Sequence, residues 1–234
     1  MNAPIRFVLL AALSFLGCQA PLGSGTVISQ DREVTSFRRL AIGSGISARG
    51  AIGTRAVKIT SDDNVVPLVQ TFVSGETLHV QLKPGVISPL ASTLVADISN
   101  DLFEALDASG GADVTLDATT VDDFPVTASG GSSVHVSRLA AQTLTVEATG
   151  GSSVTLTGSA RSAHLGASGG SDLHLRDVPL TSASLDASGG STIFARVSAT
   201  LTGAASGGST VTVVGAPANQ VEVTGGSEVH LNAE

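Results

Sequence analysis

Apolar and polar residues alternate with a period of two through most of the chain, and from residue 108 onward one phrase, Ala-Ser-Gly-Gly, punctuates the alternation. It stands at Ala108-Ser109-Gly110-Gly111 and again at 128–131, 167–170, 187–190 and 205–208. The variants Ala148-Thr149-Gly150-Gly151 and Val223-Thr224-Gly225-Gly226 complete the series. The first glycines fall at 110, 130, 150, 169, 189, 207 and 225, in steps of 20, 20, 19, 20, 18 and 18. After each pair comes a short alternating run, from Val114/Leu116 through Val154/Leu156 and Ile193/Ala195 to Val229/Leu231. Before each pair comes another, from Leu106/Ala108 to Val221/Val223, broken only at Gly203. Alternation of this kind buries one face of a strand and wets the other. Each repeat therefore predicts two short strands with Gly-Gly at the corner, where the backbone takes angles that a side chain disfavours.

One such coil cannot stand alone. Four or five small apolar side chains contribute about 1.5–3 kcal/mol each on burial, whereas ordering the coil costs about 1.5 kcal/mol for every residue. Ladders to coils above and below reverse the balance, and a period near 20 residues is the mark of a stacked solenoid. The fold class that follows is all-β: a parallel β-helix, right-handed by the crossover rule. Stacking places equivalent residues in columns. Ser109, Ser129, Thr149, Ser168, Ser188, Ser206 and Thr224 form one hydroxyl row beside the corner; Ala112, Ser132, Ser152, Ser171, Ser191, Ser209 and Ser227 form a second. Small hydroxyls satisfy backbone groups in tight turns, and that is the reading adopted for both rows.

The preceding chain is less regular. Residues 34–105 are β-rich, with a hairpin turn at Ser74-Gly75-Glu76 and interruptions at Pro84, Gly85 and Pro89. They are expected to form the irregular capping coils that cover the open edge of the stack, with residues 106–234 as the regular repeats. Residues 18–33 read as a tether. Residues 1–17 read as a signal peptide: Arg6 precedes the ten-residue apolar run Phe7 to Leu16, too short to span a bilayer. The run leads to Gly17 and Cys18, the only cysteine. This resembles a bacterial lipoprotein signal, with Phe15 where such signals usually carry leucine. The resemblance implies lipid attachment at Cys18 and, since Gln19 is not the aspartate of inner-membrane retention, an outer-membrane destination, periplasmic or surface-exposed. The competing reading is ordinary cleavage after Ala20. A single cysteine leaves no internal disulfide.

Composition narrows the chemistry. Without Arg6 the chain carries 11 basic against 20 acidic residues, so there is no basic stripe for nucleic acid. Tyrosine and tryptophan are absent, which removes the rings that sugar-binding grooves usually present. Of the phenylalanines after the signal-like segment, Phe37, Phe72, Phe103, Phe124 and Phe194, most are expected to be core or corner plugs. Gly43-Ser44-Gly45-Ile46 mimics a dinucleotide loop, but no helical pattern follows it. Acids share two columns, Asp113/Asp172/Glu228 and Asp107/Glu147/Asp186/Glu222. Their members are at least two coils apart, roughly 9.6 Å or more, against the 5–9.5 Å that glycoside hydrolysis asks of a carboxyl pair. His135, His174 and His230 share another column, again on non-adjacent coils. No catalytic residue, metal ligand set or cofactor site is assigned, and the ligand-binding residues stay unidentified.

The opening Val34-x-x-Phe37-x-x-Leu40, the Val73-x-Gly75-x-Thr77-Leu78 hairpin and the repeated small–Gly–small corners resemble the bacterial auto-transporter adhesin head family known as the GIN domain, over about residues 32–231. The resemblance implies a β-helix acting as an adhesion or scaffold module toward a protein or glycan partner that the sequence does not identify. The expected function is a non-enzymatic, lipid-anchored envelope protein. The alternative is a polysaccharide-active β-helix enzyme, a lyase or glycoside hydrolase.

Overall fold

In a computed structural model the described residues are 22–86, 91, 93–117 and 120–233. The signal-like segment and Cys18 lie outside them. The N-terminal strands are β1 (Val27–Asp31), β2 (Arg39–Ile42), β3 (Ser47–Ile52), β4 (Ala56–Asp62), β5 (Val69–Ser74), β6 (Thr77–Leu82) and β7 (Leu94–Asn100). The repeats supply β8 (Ala105–Ala108), β9 (Asp113–Asp117), β10 (Thr120–Ala128), β11 (Ser133–Ala148), β12 (Ser153–Ala167), β13 (Asp172–Ala187), β14 (Thr192–Ala205), β15 (Thr210–Val214), β16 (Ala218–Val223) and β17 (Glu228–Asn232). The only helical element among the described residues is the 3₁₀ turn Val66–Leu68.

From β8 onward every pairing is parallel and joins a strand to its equivalent about one repeat later: Val126 to Val146, Val146 to Leu165, Leu165 to Leu185. This is the expected β-solenoid. Its interior is one continuous apolar column, in which Val114, Val134, Val154, Leu173, Ile193 and Val211 are each at most 1% exposed. The glycine corners lie directly over one another. Each first glycine has φ between 60° and 65°, and each second glycine between 74° and 78°. A Cβ on the first would sit 2.9–3.4 Å from the backbone of the tier below, whereas a Cβ on the second would meet nothing within 4 Å. The first glycine thus answers to both conformation and close stacking, the second to conformation alone. The ladder does not break at these corners: Gly151 N–H donates to Gly169 O and Gly170 N–H to Gly189 O, both at 3.0 Å.

Gly43-Ser44-Gly45-Ile46 is one more corner of the same kind. Ser44 and Gly45 have φ of 62° and 69°, Ile46 N–H donates to Gly43 O, and a Cβ on Gly110 would lie 3.4 Å from Ser44 N. Its resemblance to a phosphate loop ends there, because strand β3 follows it and not a helix. Within the segment expected to form irregular capping coils, β2–corner–β3 is a regular tier. Its place is out of sequence order. β2 pairs with both β6 and β8, and β3 with both β7 and β9. The chain lays this tier, then builds β6 and β7 beneath it, and returns above it to start the repeats.

Antiparallel strands close the base: β5 on β6, β4 on β7, and β1 on β4. The expected tether at 18–33 is in its described part not free chain, since β1 is paired along its length with β4. Buried polar groups hold this end. Asn100, 1% exposed, donates to Phe37 O and Leu102 O at 2.8 and 2.7 Å. Arg32 Nη2 donates to Val66 O at 2.9 Å, and so joins the segment after β1 to the 3₁₀ turn.

Candidate binding face

The second hydroxyl row is structural. Ser132, Ser152, Ser171, Ser191 and Ser209 are at most 1% exposed. Their hydroxyls donate inward to carbonyls, as Ser152 does to Thr149 O (2.7 Å), Ser171 to Ser168 O (2.6 Å) and Ser191 to Ala167 O (2.9 Å). At the corner the Thr149 and Ser168 carbonyls each take a buried serine hydroxyl, whereas Ser191 adds a second bond to Ala167 O, which already accepts from Ser188 N–H. Either way the buried hydroxyl finds a partner.

The outward rows are different. On the strands after the corner, one row runs Asp113, Ser133, Ser153, Asp172, Thr192, Thr210 and Glu228. The next runs Thr115, His135, Thr155, His174, Phe194, Thr212 and His230. The register confirms the columns read from the sequence. Thr155 stands between His135 and His174, and the acids are separated by at least one tier that carries none. In the acidic column before the corner, Thr127, Gly166 and Ala204 intervene between Asp107, Glu147, Asp186 and Glu222. Among the described residues no three His, Cys, Asp or Glu side chains gather as a metal-binding group would.

Sequence reasoning expected the mature-chain phenylalanines to be mostly core or corner plugs. Phe37, Phe103 and Phe124 are core, at 2%, 0% and 0% exposed. Phe72 and Phe194 are not: Phe72 is 42% exposed and stacks on His79 at 4.8 Å, and half-buried Phe194 stacks on His174 with ring centroids 5.2 Å apart and planes 9° from parallel. Adjacent tiers put His174 and Phe194 side by side, so the outward face carries a flat aromatic step.

That step borders a concavity the sequence reading missed. A depression of about 240 Å³ is lined by Arg176, Phe194, Thr212 and Asn232. A second, of about 520 Å³, is lined by Pro179, Leu180, Val197, Val214 and Ala216. Val214 and Ala233 line both. The cause is a change in coil length. Between Leu175 and Pro179, β13 carries three residues with no counterpart in β14, which regains one before Ser182 pairs with Thr200. The shorter tier recedes above the longer one and leaves a recess. The signal was present as the drop in glycine step from 20 to 18, but a step length does not say on which side of the coil the residues are lost.

One ionisable group on the opposite row is perturbed. Burial pushes the Asp107 carboxyl above the ordinary carboxylate range, and His79 partly offsets it. The two side chains flank Ala41 on adjacent strands. A raised value means the folded state holds the proton more tightly than the unfolded one. The penalty on folding therefore appears as pH rises through the window between the unfolded and folded values. Asp107→Asn is expected to raise the melting temperature slightly at neutral pH and to leave it unchanged well below the carboxylate range. Equal effects at both pH values would contradict this.

The family model described as "Putative auto-transporter adhesin, head GIN domain" matches residues 36–217. Among solved structures, a putative adhesin from Bacteroides fragilis superposes with a TM-score of 0.81 at 19% identity, covering 91% of this chain and 99% of the other. A putative adhesin from Parabacteroides distasonis gives 0.68 at 16%, covering 92% and 100%. A protein from the same species described as a putative lipid binding protein gives 0.68 at 13%, covering 91% and 99%. At these identities the likeness is one of fold. No functionally curated protein matches the chain.

Proposed function

The chain belongs to the "Putative auto-transporter adhesin, head GIN domain" family, and from that premise we propose that it is a lipid-anchored, non-enzymatic binding module of the cell envelope. In this reading Cys18 carries the lipid and the anchor lies in the outer membrane. The outward Thr/His/Phe row with its flanking recess is the contact surface for a protein or glycan. The observation that carries the proposal is the aromatic step of His174 and Phe194 beside a concavity, on outward rows otherwise made of serine, threonine, histidine and acidic residues. Partners that bind through a few buried anchors seat them at such a step. The columns of acids, which never carry carboxyls on two adjacent tiers, support binding over hydrolysis, because neither column brings two carboxyls within the separation that glycoside cleavage uses.

The test is adhesion of the purified protein to intact cells and extracellular matrix. Phe194→Ala and Thr212→Trp are each expected to weaken binding about tenfold, the equivalent of ~1.4 kcal/mol, while Thr127→Trp on the other outward row leaves it intact. Binding that is indifferent to Phe194 and Thr212 would remove this face from consideration.

A further inference from the structure

Resting on the reading of Cys18 as the lipid attachment site, we propose that the base of the solenoid seats directly on the bilayer surface. Leu22, Val27 and Ile28 form the contact, and the column stands end-on with the β17 end furthest from the membrane.

The chain leaves little slack. Leu22 is clamped to the base: Asn64 Nδ2 donates to Leu22 O at 2.8 Å, and Ser24 N–H donates back to Asn64 Oδ1 at 3.0 Å. Gly25 N–H donates to Asp62 Oδ1 at 3.1 Å, and Asp63 N–H to Thr26 O at 2.9 Å. Only residues 19–21 separate Leu22 from Cys18. Four backbone steps reach at most about 14 Å. The strand stack from β1 through β4, β7, β3, β9 and β11 up to β17 takes ten steps, which at sheet spacing is about 48 Å. A leash this much shorter than the column keeps its base at the surface.

Among the described residues the most exposed large apolar side chain lies where the leash ends, with two more beside it on β1, while Val223 (45%) and Leu231 (42%) are exposed at the opposite end. Leu22 is 71% exposed, Val27 48% and Ile28 41%. All five residues of β1 are exposed, so this strand is wet on both faces. In an ordinary sheet edge two adjacent branched apolar residues in that position are a liability; against lipid they are an interface.

Charge decides between standing and lying. Residues 105–234, the repeats, carry 12 acidic and 4 basic side chains, whereas residues 22–104 carry 8 acidic and 7 basic. The long sides of the column therefore repel an anionic surface, whereas the base is nearly balanced in charge. A molecule tethered by its base and acidic along its flanks stands upright.

The experiment uses the full chain, processed and lipidated, in vesicles of phosphatidylethanolamine and phosphatidylglycerol. Lipidation would occupy the only native thiol, so Val27→Cys and His230→Cys each add one labelling site at an exposed position. Fluorophores there are read against nitroxide-bearing lipids, with Ile28→Cys as a second base probe. The expected result is several-fold stronger quenching at 27 and 28 than at 230. Equal quenching at the two ends, in protein whose mass shows the acyl chains, overturns the inference and leaves the anchor reading standing. A mass without acyl chains overturns the anchor reading, and the inference falls with it.

Discussion

Gly203→Ala is expected to destabilise the solenoid by about 3 kcal/mol or more, a larger effect than the same change at Gly207 or Gly208. Gly203 interrupts the apolar row before the corner, where the other tiers carry Leu106, Val126, Val146, Leu165, Leu185 and Val221. Its φ is 121°. A Cβ built there would lie 1.8 Å from Leu185 O and 2.8 Å from Leu185 N, its register partner in the tier below. The obstacle is backbone already engaged in the ladder, so it cannot swing aside as a side-chain end could. Two changes at the next corner calibrate the result. Gly208→Ala meets only the conformational cost of a left-handed residue, about 1–2 kcal/mol, because a Cβ there has nothing within 4 Å. Gly207→Ala should fall between, since its Cβ would approach Gly189 N to 2.9 Å. Urea denaturation of the three variants checks the order. A Gly203→Ala protein as stable as Gly208→Ala would mean that the backbone at 203 relaxes without breaking the ladder.

Phe124→Ala is expected to cost about 3–5 kcal/mol. Phe124 is 0% exposed and stands in register with Leu144 on the next tier. Removing the ring opens a cavity inside a column that has no second layer to collapse into it. In a solenoid each tier leans chiefly on its neighbours, so the loss should be local. Amide exchange is expected to accelerate in β10 and β11 and to change little in β14 and β15. A uniform loss of protection along the chain would show that the tiers unfold as one unit. Phe72→Ala is the control: the ring is 42% exposed, and its removal should shift stability by no more than about 0.5 kcal/mol.

The candidate face was half legible. The rows through His135, His174 and Phe194 could be written down from spacing alone, because a parallel register carries each residue onto its equivalent. The stack of His174 on Phe194 follows from that register, yet the sequence reading set phenylalanines aside as core residues by type. The recess beside them was hidden for a different reason: it arises from a mismatch in length between two neighbouring tiers, which no single repeat contains. The second serine row was read correctly as structural, and the bonds from Ser152 and Ser171 to corner carbonyls explain why buried hydroxyls recur there.

What the sequence determined by itself was the tier: two alternating strands, a glycine corner, and a column register that follows once tiers stack. Those features depend on interactions within about 20 residues, which local pattern records. What only the tertiary structure decided was the order of tiers at the base. The β2–β3 tier, the first to be laid down, lies between two that come later, because both edges of a strand must find a ladder and the pattern along the chain does not say which neighbour supplies it. The same long-range pairing draws β1 out of an expected tether onto β4, and so sets how few residues of the sequence separate the described column from Cys18.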